Sequence, residues 1–246
     1  MYQTKMCVPF KIFTFWHNDR IPRDVKRCIE NMKMHNPNFE IIVLGSEDVP
    51  DCQFRYKTDM TTKVKSDLVR LHFLSAYGGV WLDAHCICTA PLSKVFDFSK
   101  SGLQGFQTFD AAIDSYAFAT SCNNVLMKTW YAEFKKALQM GCVSYCKLLD
   151  NMFILSKDFK KQLPYLTVYA ASIFAQDKHH WVKKKNSRDS DGPFFYVDLA
   201  KHPSIKVLLH LRHMPALIKL DSHSRKYLKE SMGIRTYQSV VAKILK

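Results

Sequence analysis

Asp83 and His85 stand one residue apart, just past the short apolar run Val80-Trp81-Leu82. A carboxylate and an imidazole together suit Mn²⁺, and carboxylate alone suits Mg²⁺. Upstream, Asp67 and Arg70 are three apart, so a helix places them on one face. There they either form an ion pair within the helix or hold a ligand. Trp16 follows the run KIFTF and can stack on a base or pack in the core. Asp110 and Asp114 are the carboxylates of a mixed segment. Either can orient a substrate or take a proton from a hydroxyl, although Asp110 reads more simply as a solvated loop residue. Cys86 and Cys88 form a C-x-C pair, but no second Cys/His pair stands at a standard zinc spacing.

The elements that must position these groups are legible around them. Residues 62–91, TKVKSDLVRLHFLSAYGGVWLDAHCICTAP, read as a helix, a tight turn and a buried strand. Ser66 is the expected N-cap, because its hydroxyl can accept from a first-turn amide. Leu68, Leu71 and Ser75 share one helical face. Gly78-Gly79 stops the helix, since glycine takes left-handed conformations at little cost. Val80 to Leu82 is apolar throughout, as in a strand covered on both faces. Strand alternation would then point Ala84 away and let Asp83 and His85 face one site. In open α/β sheets, ligands collect at the carboxyl ends of strands. Upstream, Lys11–Trp16 reads as a strand, Pro22 to His35 as a helix and Phe39–Leu44 as a second strand. This β-α-β start implies a parallel pair with a right-handed crossover. There is no G-x-G-x-x-G and no P-loop. Tyr77 and Trp81 read as core. Downstream, Asn124–Leu138 reads as an amphipathic helix, Lys178–Asp191 as a lid or exposed hairpin loop, and FFYV as a strand.

At SDLVR, YGGVWLD and the polar group after them, the chain resembles the DXD-type glycosyltransferases of the GT-A fold. The capsular-polysaccharide-synthesis proteins are among the groups it resembles most. His85 stands where the second aspartate of DXD is usual. The resemblance implies an α/β fold with a Rossmann-like, mostly parallel central sheet flanked by helices. It also implies a divalent cation, Mn²⁺ or Mg²⁺, held by Asp83 and His85. It sets Asp67 and Arg70 beside the donor's ribose or sugar, and an aromatic near Trp16 against uracil. The segment containing Asp114 corresponds to the family's donor-sugar contacts. The stretch IKLDSHSRK resembles the family's C-terminal lysine-leucine element, which makes Lys219 a diphosphate contact and His223 a further metal ligand.

Length and composition agree with one such domain. The chain has 246 residues, 47% hydrophobic and 24% charged, ordinary for a globular protein. A single domain over 1–246 is expected, with a nucleotide-sugar-binding half at 1–138 and an acceptor-side, basic part at 139–246. No apolar run approaches the roughly 18 residues of a membrane span, and Pro9 and Lys11 interrupt any signal-peptide core. A cytoplasmic, soluble chain is expected, its eight cysteines reduced rather than paired. The net charge of +14 is uneven: residues 1–150 hold 18 Lys and Arg against 15 Asp and Glu, residues 151–246 hold 18 against 7. An excess of this kind suits an anionic partner or a solvated basic face. Lys183 to Lys185 and the helix expected over Ser224–Lys246 could rest on an anionic membrane surface.

These features point to a metal-dependent glycosyltransferase. It would move a sugar from a nucleoside-diphosphate sugar, a UDP sugar before a GDP sugar, to a hydroxyl of a glycan, glycoprotein or glycolipid. The alternative is an inactive transferase-like core that binds nucleic acid or a membrane surface, with nucleic acid the less favoured partner. A metal-dependent phosphoryl hydrolase is a third possibility for the same Asp-His pair.

Overall fold

The structure, a computed structural model, describes residues 8–50, 60–107, 112–152, 156–161, 165–178, 183–186, 194–197 and 216–220. Its strands are β1 Lys11–Phe15, β2 Glu40–Leu44, β3 Gly79–Leu82, β4 Cys86–Cys88, β5 Leu103–Gln107, β6 Ile113–Thr120, β7 Lys183–Asn186, β8 Phe194–Val197 and β9 Leu217–Leu220. Its helices are α1 Arg23–His35, α2 Thr62–Tyr77, α3 Val125–Met140, α4 Cys142–Asp150, α5 Lys157–Lys161 and α6 Thr167–Lys178.

Six strands form the main sheet in the order β2-β1-β3-β6-β5-β7. Strand β1 runs parallel to β2 and β3, and β5 runs parallel to β7. Only β6 opposes its neighbours, β3 and β5. This mostly parallel α/β sheet, flanked by helices, is the expected GT-A architecture. A smaller sheet, β4-β9-β8, carries the chain beyond Asp83. Strands β7 and β9 come from the second half of the chain and pair with β5 and β4 of the first.

Alternation on the central strands divides the core into two faces. Phe13 and Phe15 of β1, Trp81 of β3 and Phe118 of β6 pack with α2, α3, α4 and α6. Ile12, Val80, Leu82 and Ala117 pack on the other face, against Met32 of α1 and residues of β4 and β9. Two buried asparagines bind α1 to the start of the smaller sheet. Asn31 Oδ1 accepts from the Cys88 amide at 2.8 Å, and Asn36 Oδ1 from the Leu92 amide at 2.8 Å. No described helix is long and apolar enough to cross a membrane.

Several local expectations change. Thr61, not Ser66, caps α2: its hydroxyl accepts from the Val64 amide. The helix therefore starts a turn earlier, and Ser66 sits inside it. Tyr77 ends α2 facing outward, 53% exposed, so of the two aromatics only Trp81 is core. Lys183–Asn186 is not loop but a strand that, among the described residues, ends the main sheet and runs parallel to β5. The helix expected over Ser224–Lys246 lies outside the described residues.

The turn between α2 and β3 admits only glycine. Gly78 has φ 64° and ψ −164°, a region essentially reserved for glycine. A Cβ there would lie 2.7 Å from the Cys122 backbone nitrogen, and one on Gly79 would lie 2.9 Å from the Lys11 carbonyl oxygen. Gly78→Ala should therefore lower unfolding free energy by at least about 2 kcal/mol, from backbone strain and the clash together. Gly45→Ala meets only the flexible Glu47 side chain and should cost under about 1 kcal/mol. Equal urea midpoints for the two variants would refute this account of the turn.

Candidate functional site

The site forms at the carboxyl ends of β1 and β3, where β6 begins. Phe13 pairs with Trp81, which brings Trp16, just past β1, level with the residues that follow β3. Leu82 pairs with Ala117, and the Asp83 amide continues the ladder by donating to the Tyr116 carbonyl at 2.9 Å. The Asp83 carbonyl accepts from the Cys86 amide at 2.8 Å. The backbone thus turns over Asp83–Cys86 and passes from the main sheet into β4. Helix α2 enters antiparallel to β3, so its first turns reach the same edge.

Asp83 is the centre of the site. Trp81, two residues earlier and on the same face, donates its indole N–H to Asp83 Oδ1 at 3.0 Å. Arg70 Nη2 lies 3.3 Å from the same oxygen, and Lys219 Nζ lies 2.5 Å from Oδ2. The Asp83 side chain is 18% exposed and that of Lys219 8%. Both cations rest on aromatic rings: Arg70 is 5.0 Å from the Trp81 centroid and Lys219 4.8 Å from that of Tyr116. Lys219 arrives here because Cys86 of β4 pairs with it across the smaller sheet. Burial alone would raise the Asp83 pKa. The Lys219 and Arg70 charges, with hydrogen bonds from Lys219 and Trp81, instead hold it well below the usual carboxylate range.

Asp67 and Arg70 do form the ion pair their spacing suggests, at 3.3 Å, and both are buried. The pair is also tied to its surroundings. Lys63 donates to Asp67 Oδ2 at 2.8 Å and to the Tyr165 carbonyl at 2.6 Å. Arg70 donates to the Ser66 hydroxyl at 3.1 Å and to the Ser115 carbonyl on β6. A cavity of about 710 Å³ opens beside Lys63 and Asp67, walled by apolar groups such as Phe134, Leu138 and Val143. Asp114 lies buried at the start of β6, where its Oδ1 accepts from the Tyr116 amide at 3.3 Å.

Trp16 and His85 meet each other. Their rings are 5.7 Å apart, edge to face. Among the described residues the buried Trp16 indole N–H has no hydrogen-bond partner, which is costly unless something accepts from it. His223 lies outside the described residues. No three His, Cys, Asp or Glu side chains come together among the described residues. Both oxygens of Asp83 already face cations. Cys86 and Cys88 are buried; burial pushes both thiols up, Cys88 to about 12, so neither offers a thiolate. Among the described residues alone, the donor set around Asp83 is incomplete for a divalent cation. Sequence reasoning passes over Lys63, Ser115 and Tyr116, and reads Ser66 only as a helix cap. The i, i+2 spacing of Trp81 and Asp83 was the one available signal for the indole contact.

A sequence model of the family described as capsular polysaccharide synthesis protein matches residues 2–153. The chain belongs to that family. This capsular polysaccharide synthesis family member carries Trp16, Asp67, Arg70, Asp83, His85 and Asp114 within the matched residues, and Lys219 beyond them. No curated protein sequence matches the chain. Among the solved structures that resemble it at low identity are three glycosyltransferases. The PaToxG glycosyltransferase is 12% identical, with 96% of this chain and 88% of that one covered and a TM-score of 0.44. The galactosyltransferase LgtC, in complex with donor and acceptor sugar analogs, is 8% identical, with 95% of each chain covered and a TM-score of 0.47. The glycosyltransferase GlyE of Streptococcus pneumoniae TIGR4 is 10% identical, with a TM-score of 0.45; 95% of this chain is covered, against 62% of that one.

Proposed function

We propose that this family member is a glycosyltransferase that takes a nucleoside-diphosphate sugar as donor and a hydroxyl as acceptor. The observation that carries this reading is the pair of buried cations, Arg70 and Lys219, gathered on Asp83 at the strand ends. A diphosphate is the ligand such a pair suits: guanidinium binds phosphate oxygens through a planar fork, ammonium as a point charge. The partly exposed Trp16 ring supports a base at that position, stacked on its face. In transfer, the acceptor oxygen forms a bond to sugar C1. The bond from C1 to the diphosphate oxygen breaks, and its electron pair leaves with the nucleoside diphosphate. We assign the acceptor proton to Asp114, the buried carboxylate at the start of β6, next to Ser115 whose carbonyl accepts from Arg70. Fixed positive charge facing the departing oxygen stabilises the transition state without reorganisation. The cavity beside Asp67 gives the acceptor an adjoining volume.

Ligand binding tests the reading directly. UDP or GDP at about 100 times its dissociation constant should stabilise the fold by about 2.7 kcal/mol, seen as a raised melting temperature and as heat in calorimetry. UDP should bind more tightly than GDP. No heat and no thermal shift with any nucleoside diphosphate, with or without Mn²⁺, would overturn the proposal.

A further inference from the structure

We propose that Lys219 occupies the place of a divalent cation, so that this chain holds its donor's diphosphate without a metal ion. The inference rests on the transferase reading. Its first ground is occupancy. Asp83 Oδ2 faces the Lys219 ammonium at 2.5 Å, and Oδ1 faces the Trp81 indole at 3.0 Å and Arg70 at 3.3 Å. A cation entering here must first part a mostly buried ion pair, which leaves an ammonium without its counter-charge.

The second ground is the donor set. Divalent cations of the Mg²⁺ and Mn²⁺ kind need several oxygen or nitrogen ligands held close together. Among the described residues no such group of three forms. His85, in the position of the usual second aspartate, has its ring against Trp16.

The third ground is charge. Arg70 and Lys219 together carry the two positive charges of one divalent ion. Asp67 and Asp83 face three cations in all, Lys63, Arg70 and Lys219. The Lys219 ammonium has three N–H groups, and Asp83 takes one. The Tyr116 ring, 4.8 Å away, and the fixed pairing of β4 with β9 hold the rest in a defined place. On this account Asp83 is a positioning residue: it orients two cations toward the diphosphate and does not itself touch a metal.

Calorimetry of the full chain with UDP and GDP separates the outcomes. Affinity in excess EDTA should match affinity in Mn²⁺ within about threefold. Mn²⁺ added alone should keep the spectrum of the free ion in electron paramagnetic resonance. Lys219→Met keeps the apolar stem and removes the charge. It should weaken nucleotide binding about tenfold or more, the scale of a lost charge-assisted hydrogen bond, while Lys219→Arg retains most of it. Binding by the unaltered chain that requires Mn²⁺, with Mn²⁺ binding lost in Asp83→Asn, would overturn the inference and leave the transferase reading standing. Absence of nucleotide binding in both EDTA and Mn²⁺ would overturn both. Because the EDTA comparison uses the unaltered chain, the test survives a variant that fails to fold.

Discussion

Asp83→Asn should lower the unfolding free energy by about 3 kcal/mol and slow sugar transfer at least about 100-fold. The stability loss follows from leaving Arg70 and Lys219 beside a neutral amide; removing one partner of a buried pair typically costs about 3–5 kcal/mol. The rate loss follows because Asp83 orients Arg70 and Lys219, and misplacing charges that face the departing oxygen costs on the scale of a lost transition-state contact. From the sequence alone the sign of the stability change reads the other way. An Asp-x-His pair awaiting a metal is a costly cluster, so losing its charge should be neutral or helpful. The geometry reverses that sign, because Asp83 has two cations and an indole on it.

The pH dependence follows from the same contacts. Folding depresses the Asp83 pKa below its unfolded value of about 3.9. Its contribution is therefore complete above that value and is lost as pH falls from about 4 toward the folded pKa. The gap in urea midpoint between the unaltered chain and Asp83→Asn should be widest near pH 7 and measurably narrower at pH 3. A gap of the same size at both values, or a more stable variant, would refute the buried-pair account.

Arg70→Met should cost about 3–5 kcal/mol, more than any exposed charge in the chain. It removes a counter-charge from Asp67 and from Asp83, and strips the Ser115 carbonyl of its donor. Arg70→Lys should recover little, since an ammonium cannot reproduce the planar fork that spans these partners. Combined with Asp83→Asn, the loss should fall short of the sum by at least about 1 kcal/mol, because the two variants break one shared contact. Strict additivity, or a loss from Arg70→Met under about 1 kcal/mol, would mean that Arg70 does not hold the site together.

The helix, glycine pair and strand were legible because each is written in local chemistry: apolar spacing, left-handed glycines and a run with no polar face. Asp67 and Arg70 were legible for the same reason, three apart on a helix. Ser66 misled because two hydroxyl residues stand within a turn and a half of each other and only packing chooses between them. Tyr77 misled because ring size says nothing about which way the last helical turn faces. For His85 strand alternation fails because the chain turns at Asp83–Cys86, and its ring goes to Trp16. Strand β7 was hidden because three lysines look solvated, and a backbone ladder leaves no mark in composition. Lys219 stood out only through its resemblance to a family element. That it meets Asp83 is a fact of strand register in the smaller sheet, which no periodicity reveals.

The Asp83–Lys219 contact spans 136 residues, and this has a consequence in time. At about 5–20 residues per second of synthesis, Lys219 is added roughly 7–27 s after Asp83. In that interval Arg70 and Trp81 are already made, and α2 and β3 can form around them, but Asp83 has only one of its two cations. A chain released before residue 217 would lack β9 and could not complete the site, however well its first sheet had formed.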